Sequence, residues 1–364
     1  MTASERASSR PEIGNSLRNG HDKDGSRVCS GWSCLGLAAV PVVGNFGASS
    51  FPVRARKSSA LSRRTRLGQN GQMSSPAARG SEVLRYAAFT DEPSGGNPAG
   101  VVLDARGLDE GRMLQIAREV GYSETAFLRS RRDRPGGYDV RYFSLEAEVP
   151  FCGHATIAAG VALAERDGPG ELVFHVSAGP VVLRTRREPS GAATASLTSV
   201  PPDIEETSAE VLGEALSALG WRSTELDPAL PPRIAYAGAR HLILAAASRS
   251  RLASLEYEFE RLKRLMLDLD LTTVDLIWRE SDDRYHARNP FPVGGVYEDP
   301  ATGAAAAAFG GYLRALSLVE PPVKINIFQG HDMGRPSLIV VDIPPGDGGI
   351  SVTGTAVPIT NPIR

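Results

Sequence analysis

Glu124 sits in Tyr122-Ser123-Glu124-Thr125-Ala126-Phe127, a segment that alternates like a strand. Residues two apart on a strand share a face, which sets the Glu124 carboxylate beside Tyr122 and Ala126. A carboxylate held against such a half-apolar surface is poised to take and return a proton near neutrality. His154 follows a glycine at what reads as a helix start, where an imidazole can donate a hydrogen bond or shuttle protons. Asp299 stands just before a second such start, where a carboxylate caps free N–H groups. Cys152 precedes the first start, where a helix N-terminus would stabilise a thiolate. Each also has an ordinary reading. Glu124 could face solvent or pair with an arginine, His154 and Asp299 could be structural, and Cys152 could be a small buried thiol.

The elements that would position these residues recur at an offset of 150 residues. Glu148-Val149-Pro150-Phe151-Cys152-Gly153-His154-Ala155-Thr156 opens one segment, and Glu298-Asp299-Pro300-Ala301-Thr302-Gly303-Ala304-Ala305-Ala306 opens the other. Without gaps, seven of sixteen positions are identical up to Leu163 and Leu313. Both segments lead into helices of small and apolar residues, which must be buried on all sides. The repeat predicts a duplicated domain with a pseudo-twofold axis. Helices beginning at Gly153 and Gly303 leave their first N–H groups unpaired, with partial positive charge, and glycine admits a ligand close to the backbone. Facing each other across a cleft, the two starts would hold an anionic small molecule, most simply a carboxylate.

Around the repeat, Val83–Phe89, Ala99–Leu103, Tyr122–Leu128 and Tyr138–Phe143 read as strands. Asp109 and Gly121 bracket a helix that buries Met113, Ile116, Ala117 and Val120. This mixture predicts an α/β or α+β domain, not a strictly parallel doubly wound sheet. The 364-residue chain has a formal net charge of −2, which argues against nucleic acid as its main partner. No apolar run of membrane-spanning length occurs, so a multi-spanning membrane protein is excluded. Residues 1–80 hold twelve Lys or Arg against four Asp or Glu and are rich in Ser. They are read as a disordered leader: either a plastid or mitochondrial targeting peptide, or an extension upstream of a start at Met73 in a cytoplasmic protein. Two halves are expected after it, at 81–190 and 191–364, with the last strand returning to the first half. Ser94–Gly100 lacks the Lys-Ser/Thr of a phosphate-binding loop, and no dinucleotide fingerprint or metal-ligand spacing occurs; no cofactor and no metal are expected.

Gly96-Asn97-Pro98-Ala99-Gly100-Val101, Ser123-Glu124-Thr125-Ala126-Phe127, the run from Arg141 to Thr156, Glu298–Gly303 and Gln329–Ser337 together resemble the PhzF family of phenazine biosynthesis, over residues 82–360. The resemblance implies a fold like diaminopimelate epimerase, in which two similar halves each wrap a barrel-like sheet around a central helix. It further implies cofactor-free isomerase chemistry at the junction and, commonly, a homodimer. By motif match Glu124 is the single proton-moving acid/base, His154 the family's histidine and Asp299 its substrate-contacting aspartate, with Gly153 and Gly303 holding polar groups of the ligand. One departure stands at Ala304, where the family usually has a serine that touches substrate. Leu145 also replaces a frequent proline.

Three functions follow as expectations. The first is an isomerase that moves a proton within a small carboxylated substrate through Glu124, with His154 and Asp299 orienting the substrate or relaying protons. The second is a non-catalytic small-molecule-binding or interaction protein on the same fold, which Ala304 favours. The third is an amino-acid racemase or epimerase; its usual pair of thiols is missing, because the repeat counterpart of Cys152 is Thr302.

Overall fold

The computed structural model describes residues 82–360, and the leader expected over 1–80 lies outside them. The first half is built from β1 (Leu84–Ala88), β2 (Asn97–Val102), α1 (Glu110–Val120), β3 (Glu124–Ser130), β4 (Gly137–Phe143), β5 (Glu148–Val149), α2 (Gly153–Asp167), β6 (Glu171–Val176), β7 (Gly179–Arg187) and β8 (Ala193–Thr198). The second continues with β9 (Asp203–Glu206), α3 (Ala209–Ala218), β10 (Arg233–Tyr236), β11 (Arg240–Ala245), α4 (Arg249–Ala253), α5 (Phe259–Asp268), β12 (Thr273–Arg279) and β13 (Arg284–Pro290). It ends with β14 (Glu298–Asp299), α6 (Gly303–Ala315), β15 (Val323–Gln329), β16 (Ser337–Ile343) and β17 (Ser351–Pro358).

Strand pairing repeats between the halves. Antiparallel β1–β2, parallel β2–β3, antiparallel β3–β4 and parallel β4–β6 are matched by β10–β11, β11–β12, β12–β13 and β13–β15 in the same senses. β17 hydrogen-bonds to β16, to β8 and to β1, so it closes the first half into a ring β1-β2-β3-β4-β6-β7-β8-β17 while remaining attached to the second. β8 lies beyond residue 190, the expected boundary, and is paired on both sides within that ring, to β7 and β17.

Helix α2 packs against β1, β2, β3, β7, β8 and β17, and every residue from His154 to Ala164 is buried. Helix α6 packs likewise against β9, β10, β11, β16 and β17. Small side chains let both helices press close to their sheets. A methyl group at Gly160 would stand 3.0 Å from Leu183, and one at its repeat partner Gly310 would stand 2.9 Å from Val341 and Ile350. Outside the first ring, α1 has the boundaries its sequence predicts. Asp109 accepts from the Arg112 N–H, Gly121 takes the left-handed conformation at the C-terminus, and Met113, Ile116, Ala117 and Val120 are buried. In the second half, α3 and α5 cover the outer sheet face around Trp221, Leu244, Leu262 and Met266. Among the described residues no helix is long and apolar enough to cross a membrane.

Candidate active site

The left-handed turn at Gly121 ends α1 and sends the chain through Tyr122 and Ser123 into β3, whose first residue is Glu124. Register places Glu124 beside Ala99 on parallel β2, two residues from Asn97 at that strand's start. Cys152 is the N-cap of α2 and makes no side-chain capping bond, so His154 projects from the first helical turn. From the other half, the β13–β14 pair carries Asp299 to the start of α6. The sequence separates these residues widely, and the fold brings them together.

Glu124 Oε2 lies 3.4 Å from His154 Nε2, and Ser123 Oγ lies 3.5 Å from the same nitrogen. The Cys152 sulfur is 3.4 Å from His154 Nδ1. Asn97, buried at 2% exposure, is the link between halves. Its amide nitrogen donates to Asp299 Oδ1 at 2.8 Å and to the Ala301 carbonyl at 3.1 Å, and it faces His154 Nδ1 at 3.2 Å. Two acceptors fix the amide orientation, because a flipped Asn97 would set its oxygen against two others. A group with only hydrogens to offer therefore faces Nδ1. The ring proton accordingly sits on Nε2, aimed at Glu124 and Ser123.

Asp299 is held from its other side. Thr302 Oγ1 donates to Asp299 Oδ2 at 2.6 Å, and Gln329 Nε2 donates to the Asp299 carbonyl at 2.7 Å and to Thr302 Oγ1 at 2.9 Å. Burial pushes the Asp299 carboxyl up to about 6, partly opposed by the hydrogen bonds from Thr302 and Asn97. Burial, reinforced by the nearby Glu124 charge, pushes the Cys152 thiol well up, so it remains a thiol at neutral pH and donates toward Nδ1.

Asn97, Pro98, Tyr122, Ser123, Asp299 and Arg335 are among the residues lining a cavity of about 310 Å³ beside this cluster. That size is at the small end of ligand sites, which run from about 300 to 1,000 Å³. The two glycine starts differ. A Cβ at Gly153 would meet open space, whereas one at Gly303 would lie 3.2 Å from the Phe89 ring. Phe89 itself is buried with φ of 63°, pinned by its N–H to Thr355 and by its carbonyl to Leu338, so strained backbone supports the start of α6. Ala304, the counterpart of His154, brings no functional group to the junction.

The ligand atoms of Glu124, Cys152 and His154 lie within 4.8 Å of one another, a set with the chemistry to hold a soft divalent cation. A cation on Nε2 would need the ring proton moved to Nδ1, against the Asn97 N–H that faces it. The donor set fits proton exchange better than metal ligation. Asn97, Thr302, Gln329 and Arg335 stand inside the sequence motifs, yet residue type and spacing alone assign them no role; a buried amide at a strand start beside glycine and proline was the available signal for Asn97.

A family model for phenazine biosynthesis-like protein, PhzC-PhzF, matches residues 86–361. The chain belongs to this family. The uncharacterized isomerase YfhB of Bacillus subtilis is 29% identical over 286 residues, covering 76% of this chain and 96% of that protein. The trans-2,3-dihydro-3-hydroxyanthranilate isomerase of Pseudomonas chlororaphis is 30% identical, covering 69% of this chain and 86% of that one. Among solved structures, a PhzF-family phenazine biosynthesis protein of Bacillus anthracis superposes with a TM-score of 0.70 at 25% identity, covering 76% of this chain and 96% of that chain. This chain is thus a PhzF-family isomerase with the two-halved α+β fold implied by its motifs.

Proposed function

We propose that this PhzF-family member shifts a proton between two atoms of a small, unsaturated carboxylic acid, with Glu124 as the single acid/base. The Glu124 carboxylate takes a proton from a C–H bond, whose electron pair moves into the conjugated system. The resulting acid returns the proton to a second atom on the same face. His154 donates its Nε2 proton toward Glu124 and steadies the carboxylate; Asp299 orients the substrate from the opposite half.

The observation that carries this reading is the asymmetry of the repeat. Phe127 pairs with Arg141 on β3–β4, and Leu276 pairs with Arg288 on β12–β13, so Glu124 and Thr273 occupy matching positions three residues earlier. Glu124, Cys152 and His154 thus correspond to Thr273, Thr302 and Ala304. The repeat counterparts of Glu124 and His154 therefore carry no titratable group, and the Asp299 carboxylate of the second half is engaged by Asn97 and Thr302. This supports a shift run by Glu124 over inversion by two matched bases.

The test is deuterium uptake from heavy water by trans-2,3-dihydro-3-hydroxyanthranilate, the compound for which the Pseudomonas relative is named. Parent protein should incorporate deuterium, and Glu124→Gln should lose about 10²- to 10⁴-fold in rate with its fold intact. Uptake persisting in Glu124→Gln would overturn the assignment. Binding of that acid without exchange in the parent would favour the non-catalytic reading, for which the bare methyl of Ala304 is the structural support.

A further inference from the structure

Arg335 carries a charge that its protein surroundings do not neutralise. It leaves the turn at His331–Met333 and reaches into the first half, where Nε donates to the Gly96 carbonyl at 2.8 Å and Nη2 to the Gly95 carbonyl at 2.7 Å. Both partners are neutral. Among the described residues no carboxylate pairs with Arg335, and Nη1 donates to no protein atom. The guanidinium is half-buried, and desolvation pulls it below its ordinary range.

This cation lines the same cavity of about 310 Å³ as Asn97, Ser123 and Asp299. Tyr122, another lining residue, has a buried hydroxyl without a hydrogen-bond partner among the described residues. A strap between the halves explains Nε and Nη2, because two carbonyls are satisfied. It does not explain the use of a permanent charge, and it leaves the accessible Nη1 open toward a ligand. A half-desolvated cation without a counter-ion is costly, and a ligand anion delivered into the cavity removes that cost while gaining a charge-assisted hydrogen bond.

We propose that Arg335 anchors the substrate's carboxylate at the cavity wall beside Gly95 and Gly96, so that the ring reaches past Ser123 toward Glu124, which lies next to the cavity. The inference rests on the reading of this cavity as the site of a proton shift, and it adds the polarity of the substrate: anionic end at Arg335, reacting carbon at Glu124. With Ala304 offering no hydroxyl, recognition passes to a charge from the β15–β16 connection.

The experiment is isothermal titration with anthranilate and anthranilamide, which differ in the negative charge, against the full chain and its Arg335→Gln, Arg335→Lys and Glu124→Gln variants. The parent should prefer the acid by about tenfold, the scale of one charge-assisted hydrogen bond. Arg335→Gln should lose that preference while still binding the amide, which also reports that the cavity is intact. Arg335→Lys should keep part of it, since a lysine supplies the charge without the fork. Equal binding of acid and amide by the parent, no binding of the acid, or an unchanged preference in Arg335→Gln would each overturn the proposal. If Arg335→Gln fails to fold, Arg335→Lys decides: a preference equal to the parent's would assign the acid to the helix starts at Gly153 and Gly303 and overturn the proposal, and a reduced one would support it. Glu124→Gln should retain the preference, so failure of the proton-shift reading and failure of the anchor give different results.

Discussion

In the first half, Arg141 on β4 grips Glu148 on β5, with Nε to Oε1 at 2.7 Å and side chains 33% and 32% exposed. In the second, Arg288 on β13 grips Glu298 on β14 through the same fork, with Nε to Oε1 at 2.9 Å and exposures of 9% and 4%. Arg141 turns its outer nitrogen to a second surface carboxylate, Glu110, whereas Arg288 donates to the Ala253 carbonyl of α4. Duplication has preserved the geometry, and burial has changed its energetic weight. The interiors diverge too. Tyr142 bonds to Thr156 in the first half, while the matching Asn289 accepts from Thr273 and donates to Asp275, and Thr273 also contacts His241. On the proposed function, one half carries the proton chemistry at its helix start, and the other is a clamped wall that presents Asp299.

The division is broken most directly at the matching strand positions. Glu124→Gln should abolish exchange, by about 10²- to 10⁴-fold. Thr273→Val should leave exchange at the parent rate but lower stability by about 1–3 kcal/mol, because His241 and Asn289 lose a buried partner. Comparable losses of rate at both positions, measured by deuterium uptake, would mean that the halves share the chemistry. The forks supply the next contrast. Glu298→Gln leaves the Arg288 charge buried without its counter-ion and should cost about 3–5 kcal/mol. Glu148→Gln should cost about 0–1 kcal/mol. Thermal melts of the two variants measure the ratio, and equal shifts would show that the second fork is hydrated.

Much of this was legible in the sequence because it is local. The caps of α1 at Asp109 and Gly121, the helix starts at Gly153 and Gly303, and the blocks around Glu124 and Asp299 all depend on neighbouring residues. The forks were hidden by loop length. Phe143 pairs with Glu148, but the matching Pro290 pairs with Glu298 across a longer turn, so the offset of 150 fails just upstream of both glutamates. Asn97 was hidden for another reason. Its partners lie 57, 202 and 204 residues away, and only the closed ring brings them to one amide. The return of the last strand to the first half is expected from the sequence, but its pairing with both β1 and β8, which closes the ring, is non-local.

The interior contrast predicts a pH dependence that belongs to the second half. Asp275 matches Ala126 of the first half; burial raises its carboxyl to about 7, with only the Asn289 hydrogen bond opposing. The folded protein therefore holds this proton more tightly than the unfolded chain. The associated stability is fully present below the unfolded value near 3.8 and is lost as pH rises through about 7. Asp299 follows the same sign with its loss complete near 6. Buried His241, lowered to about 3, acts with the opposite sign up to its ordinary 6.5, so Asp275 is read as the difference between parent and variant from about pH 6 to 8. Asp275→Asn should flatten chemical-denaturation stability across that interval, recovering on the order of 1–3 kcal/mol at pH 8, since each tenfold change in proton affinity is worth about 1.4 kcal/mol. An unchanged slope would show that water reaches the Asp275 Oδ2 atom, which has no protein partner among the described residues.

The smallest contrast lies at the paired glycines, where helix meets sheet. Alanine gains about 1 kcal/mol over glycine in a helix interior, against an overpacking cost of about 1–3 kcal/mol. At Gly160 the new methyl meets Leu183 Cδ2 at 3.0 Å and Ala195 Cβ at 3.1 Å; the first is the end of a side chain that can swing aside. At Gly310 it meets Ile350 Cγ2 and Val341 Cγ1, both at 2.9 Å. These are β-branched residues with little freedom at χ1. Gly160→Ala should therefore be close to neutral, and Gly310→Ala should lower the urea midpoint by the equivalent of about 1–2 kcal/mol. The reverse order would mean that the first ring, closed by β17, yields less than the second sheet, and that ring closure outweighs side-chain branching in setting how tightly each helix is held.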